Sequence, residues 1–127
     1  MIKFTIPIAP ATKKNSQRIV MAGAYPKLLP SKAFVEYQTK AGWLIPCKNI
    51  GISQPVNIKA TYYVKTKRKV DITNLHSALH DVLVHYGVLA DDSSINPCIV
   101  ASTDGSRVYV DSKNPRTEVE ITTIEEI

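Results

Sequence analysis

Four aspartates in the second half of the chain have the types and spacing for metal chemistry: Asp71, Asp81, Asp91 and Asp92. Carboxylates are hard oxygen ligands. They suit Mg²⁺ or Mn²⁺, which keep several waters and take further ligands from phosphate. An ion held this way polarises a phosphodiester, generates hydroxide and stabilises the leaving oxygen. A basic turn, Lys65-Thr66-Lys67-Arg68-Lys69, runs into Asp71 and offers cations to the phosphate backbone. Singly, each feature is ordinary. Asp71 reads as a helix N-cap, Asp81 as a solvated helix residue, Asp91-Asp92 as a turn. Their combination is what points to a metal site.

The elements that must position these residues follow from periodicity. Leu75, Leu79, Val82 and Tyr86 share one face at 100° per residue, which predicts a helix from Asp71 to about Tyr86, stopped by Gly87. Asn74, Ser77 and Asp81 fall on another face. The helix ends stand roughly 20 Å apart at 1.5 Å per residue. Asp71 and Asp92 therefore meet only if the chain after Gly87 folds back along the helix, or if a symmetric dimer brings Asp92 to a partner chain.

Before this helix, Val56, Ile58, Ala60, Tyr62 and Val64 alternate with polar residues in the clearest strand of the chain. Ile2, Phe4 and Ile6 mark an opening strand. Ala11 to Arg18 reads as a polar loop. A short hairpin is predicted around Gly23, from Ile19–Met21 and Lys27–Leu29. Ser31 reads as the N-cap of a first helix carrying Phe34, Tyr37, Ala41 and Leu44, closed by Pro46. Ile99–Ser102 and Arg107–Val110 read as two strands joined at Asp104-Gly105, and Val119 and Ile121 as a last strand. This order predicts one α+β domain over residues 1–127, with two main helices on a mixed sheet.

Lys plus Arg number 16 and Asp plus Glu 11, a net charge of +5 that suits a polyanionic partner. No apolar run reaches membrane-spanning length, and the N-terminus lacks a signal-peptide pattern. These features predict a cytoplasmic protein without membrane association or a small-molecule cofactor. Cys47 and Cys98 form no C-x-x-C and read as reduced packing residues. His76 and His80 are spaced i, i+4 but lack the accompanying Glu and a third ligand, so with His85 they read as surface histidines.

Val70-Asp71-Ile72-Thr73-Asn74-Leu75, Ala78, Asp81-Val82-Leu83, Gly87 and Asp91-Asp92-Ser93-Ser94-Ile95 together resemble the RusA family of Holliday-junction resolvases, bacterial and phage enzymes often carried by prophages. Lys13-Lys14-Asn15-Ser16, Pro30-Ser31 and the closing Glu-Val-Glu-Ile strand agree in order. The resemblance implies a RusA-like fold and a homodimer that binds four-way DNA junctions in recombination and repair. It also implies an Mg²⁺- or Mn²⁺-dependent endonuclease nicking two strands symmetrically. By position, Asp71 and Asp92 match the family's metal-site aspartates, and Asp91 the first of its Asp-Asp pair. Asn74 and Asp81 match further motif positions, Asp81 as a supporting metal ligand. DNA contacts are expected from Lys13, Lys14, Asn15, Lys67, Arg68, Lys69 and Asn74. The family's second aspartate is Thr73 here, and its helix lysine is Ser77. These departures leave open a second reading, a junction-binding protein that cuts weakly or not at all.

Overall fold

Nine elements appear in the computed structural model, which describes residues 1–12, 18–23, 25–29, 32–67, 70–90 and 99–124. They are β1 (Ile2–Ile6), β2 (Arg18–Ala22), β3 (Tyr25–Leu29), α1 (Lys32–Leu44), β4 (Val56–Val64), α2 (Ile72–His85), β5 (Val100–Ser102), β6 (Arg107–Val110) and β7 (Arg116–Thr123). Strands β2 and β3 form a separate antiparallel hairpin, with Gly23 at φ +66° in its turn. The order and classes match the α+β expectation. Ser31 lies outside the described residues. No helix among those described is long and apolar enough to cross a membrane.

The period-2 pattern of β4 organises the main sheet. Its inward row, Val56, Ile58, Ala60, Tyr62 and Val64, is buried. One edge pairs antiparallel with β7 from Val56↔Thr123 to Tyr63↔Arg116, and β1 continues the sheet beyond β7. Phe4 and Ile6 of β1 and Val119 and Ile121 of β7 extend the apolar face. Both helices join that core, α1 through Phe34, Tyr37 and Ala41, α2 through Leu75, Ala78, Leu79, Val82 and Leu83. Tyr86 is half-buried, and its hydroxyl donates to Gln38 O at 2.6 Å. The opposite face of the sheet is polar. There Glu120 links Lys3 at 3.0 Å and Lys59 at 3.4 Å.

One expectation is overturned. Residues 99–102 and 107–110 do not form a hairpin at Asp104-Gly105. Both β5 and β6 run parallel to β4 along its second edge, at Val56–Asn57 and Thr61–Val64 respectively. They are two halves of one interrupted edge strand. A parallel neighbour requires a long crossover, which α2 supplies. The Asp-Gly signal marks a turn inside this strand, closed by Ser106 N–H on Thr103 O at 3.3 Å, with Gly105 at φ +86°.

Side chains splice the interruption. Asn57 Oδ1 accepts from Ser102 Oγ at 2.6 Å and from the Asp104 N–H at 2.8 Å. Ser106 Oγ accepts from the buried Ala60 N–H at 3.0 Å and donates to Ile58 O at 3.4 Å. Ser106→Ala leaves the Ala60 N–H buried without that acceptor. The substitution should cost about 1–3 kcal/mol, read as a lower urea midpoint with an unchanged m-value. An unchanged midpoint would show that the splice contributes nothing.

Candidate functional site

Asp71 is the N-cap of α2, as its position before the apolar stripe predicts. Its backbone is extended (φ −79°, ψ 119°), and Oδ1 accepts from the Thr73 N–H at 2.9 Å. Its carbonyl takes the first helical bonds, from Asn74 N at 3.0 Å and Leu75 N at 3.3 Å. Such a cap contributes about 1 kcal/mol. The local chemistry therefore fixes where this carboxylate stands, and the residue remains exposed with Oδ2 available.

Asp71 also lines a cleft of about 780 Å³. One wall is Val64, Lys65 and Thr66 at the end of β4. The second is Val70, Ile72, Asn74 and Leu75 at the start of α2, and the third is Ala9, Pro10 and Thr12 after β1. Lys65 and Lys67 are exposed on the turn between β4 and α2. The cleft thus combines a carboxylate, an amide, lysine and a helix N-terminus, where free N–H groups favour anions. The third wall was not read from sequence, where Pro7 and Pro10 mark only the end of the opening strand. Thr12 directly precedes Lys13.

One expected site residue stands apart from Asp71. Asp81 is exposed on α2, ten residues beyond Asp71 and so about 15 Å along the axis, too far for both carboxylates to share one ion. Asp91, Asp92, Lys13, Lys14, Asn15, Arg68 and Lys69 lie outside the described residues, as does Cys98. Cys47 is a half-buried free thiol. Among the described residues, no three His, Cys, Asp or Glu side chains gather as a metal-holding group. The chain after Gly87 does not ascend toward Asp71 within the described residues. Val88 N and Leu89 N bond Leu83 O, and Ala90 N bonds Ile52 O at 2.8 Å. Ile99 O accepts from Val56 N at 2.8 Å, at the start of β4. Ala90 and Ile99 are therefore both fixed at the end of α2 and β4 distant from the cleft.

His85 is exposed, as read, but His76 and His80 are half-buried. His76 is half-buried, and its Nδ1 lies 2.7 Å from the hydroxyl of Tyr62, a core residue of β4. Burial pushes the Tyr62 phenol far up, so it keeps its proton and donates to a neutral imidazole. His80 stacks on His76 with ring centroids 5.6 Å apart and planes 7° from parallel. The pair braces the first half of α2 against the sheet. A buried phenol needs a hydrogen-bond partner, so the inward position of Tyr62 was the available signal.

A family model described as Endodeoxyribonuclease RusA matches residues 7–122. Among curated proteins, none matches the chain.

Burial holds the His76 imidazole below the ordinary histidine range. The folded chain therefore binds that proton less readily than the unfolded chain, whose histidine titrates near 6.5. The resulting stability is fully present above about pH 6.5 and is lost as pH falls through the lower folded value. Urea midpoints measured from about pH 7 down to about pH 5 should fall more steeply in wild type than in His76→Gln. Parallel profiles would remove His76 as the origin.

Proposed function

The chain belongs to the endodeoxyribonuclease RusA family, and from that membership we propose that it resolves four-way (Holliday) DNA junctions by Mg²⁺- or Mn²⁺-dependent phosphodiester hydrolysis, in recombination and repair. The observation that carries this reading is the exposed Asp71 carboxylate at a helix N-terminus, in a cleft edged by lysine. One capping oxygen is occupied by Thr73 N–H, which leaves the second oxygen of this exposed residue for coordination. Such a donor set fits an ion that relies on one or two carboxylates, water and substrate phosphate. A divalent ion bound there supplies a polarised phosphate and an acidified water.

The chain's own residues do the rest. Lys65 and Lys67, with Lys13, Lys14, Asn15, Arg68 and Lys69, attract and hold backbone phosphates. Asn74 offers its amide at the cleft wall, and the N-terminus of α2 stabilises the anionic strand. Capping fixes the Asp71 carboxylate before substrate arrives, which limits reorganisation during reaction. Asp91 and Asp92 complete the carboxylate set from a second copy in a homodimer. The support is positional: Ala90, which precedes them, is held at the far end of α2, roughly 20 Å from Asp71. Asp81, about 15 Å along the helix, falls outside this ion's reach.

A second reading has its own support. Thr73 and Ser77 are both exposed on α2 where the family pattern carries Asp and Lys, so this helix offers hydroxyls in place of a carboxylate and a cation. In that reading the chain binds junctions without cutting them.

Purified protein incubated with a synthetic four-way junction and Mg²⁺ or Mn²⁺ should release nicked duplexes. Asp71→Asn keeps the helix cap, so it should retain folding and junction binding while cleavage falls on the order of 100-fold or more. Cleavage undiminished in this variant would sink the assignment. Tight junction binding with no cleavage by wild type would select the second reading.

Mixing tests the shared site. Neither Asp71→Asn nor Asp92→Asn should cut alone. A heterodimer of the two contains one intact site only if each site draws Asp71 and Asp92 from different chains. Recovery of single-strand nicking on mixing is expected, and continued inactivity would place both aspartates in one chain.

A further inference from the structure

The polar face of the sheet carries a feature that the cleft does not use. Tyr63 of β4 is paired in register with Arg116 of β7 on one side and with Tyr109 of β6 on the other. The three side chains form one row across three strands. The Arg116 guanidinium carbon lies 3.7 Å from the centroid of the Tyr63 ring. The Tyr109 ring stacks beside Tyr63 with centroids 5.6 Å apart and planes 29° from parallel.

Arg116 is held rigidly. Its Nε donates to Glu118 Oε2 at 2.8 Å, and its Nη1 donates to Asp111 Oδ2 and to Asn114 O, each at 3.0 Å. Two carboxylates already satisfy its charge, so the guanidinium supports the ring rather than serving a phosphate. The row ends at Tyr109, which is 51% exposed. Tyr109 lies on an edge strand, and among the described residues no strand pairs with the outer side of β6. A braced aromatic stack thus terminates in a ring open to solvent.

The surroundings identify what would extend it. Tyr63 precedes Lys65 by two residues, about 7 Å along an extended chain. Lys65 lines the Asp71 cleft, and Lys67 follows on the same exposed turn. A polyanion leaving the cleft over this turn and following β4 back by two residues would meet Tyr63 and the Tyr109 ring stacked beside it. A flat aromatic group carried on a polyanionic backbone is a nucleobase. Branch points and melted ends are where bases leave their own stack.

We propose that the Arg116–Tyr63–Tyr109 row is a stacking platform for an unpaired base of a DNA strand that passes from the Asp71 cleft over the Lys65–Lys67 turn. This rests on the nucleic-acid reading above but not on cleavage. Stacking is tolerant of base identity, since every base has a π-face. The platform therefore favours unstacked structure over sequence.

The test uses the full chain in EDTA, with fluorescence anisotropy on three labelled probes: oligothymidylate, an abasic oligonucleotide of equal length, and a four-way junction. Wild type should bind oligothymidylate roughly 5- to 100-fold more tightly than the abasic strand. Tyr109→Ala should abolish that preference while leaving affinity for the abasic strand unchanged. Tyr109→Phe should keep it. A preference that survives Tyr109→Ala, or is lost equally in Tyr109→Phe, overturns the platform. Wild type that binds the junction but does not distinguish the two oligonucleotides overturns the platform alone. Wild type that binds none of the three overturns the nucleic-acid reading with it.

Discussion

Strand β4 is constrained from both faces and both edges at once. Its inner side chains must leave water together with those of β1, β7 and both helices. Its outer side chains face the ion pairs and the aromatic row. Its edges hold an antiparallel ladder on one side and a broken parallel strand on the other. A slip of one residue would exchange the two faces completely. It would bring Lys59 and Tyr63 into the core and expel Ile58 and Tyr62. Every functional residue described above is referenced to this register. Lys65 follows directly on the end of β4, α2 is oriented through Tyr62 and His76, and the row on the polar face passes through Tyr63.

Asp71 shows how structural and chemical demands coincide in one side chain. A free carboxylate on a loop would need to be ordered when a ligand arrives. Here the helix itself does the ordering, through one N–H bond to one oxygen. The cost is that this oxygen has a prior partner, so the second oxygen carries the capacity for coordination. Few further ligands lie nearby among the described residues, and those that stand close are an amide, a lysine and backbone groups. That arrangement suits recognition of phosphate as much as capture of an ion. The exposed hydroxyls of Thr73 and Ser77 shift the balance further toward recognition.

Much of the fold was legible because hydrophobic periodicity is strong in β4 and α2. The Asp71 cap, the stop at Gly87, the first hairpin and the order of the elements all follow from local patterns. What escaped was set by pairing between distant segments. Asp104-Gly105 has the composition of a hairpin turn, and only the crossover through α2 makes its flanks parallel to β4. The role of His76 depends on a phenol fourteen residues away across the helix–sheet interface. The row of Arg116, Tyr63 and Tyr109 needs two registers to be known at once. Of the candidate site, Asp71, Asn74 and the start of the basic turn were found together by sequence adjacency, because one tight connection holds them. The relation of Asp71 to Asp91-Asp92 depends on how far apart the ends of α2 are, which spacing along the chain expresses only as alternatives.

The splice between β5 and β6 has a further consequence. An exposed strand edge is a template on which foreign strands can add, because its free N–H and C=O groups repeat at regular intervals. Here the repeat is broken after three residues, where Asn57 of β4 accepts from the Asp104 N–H and Ser106 accepts from the Ala60 N–H of β4. Neither half is long enough to seat an incoming strand in a continuous ladder. The irregular turn at Asp104-Gly105 thus guards this edge of the sheet against edge-to-edge pairing, while β4 keeps the long regular neighbour on its other side that the core requires.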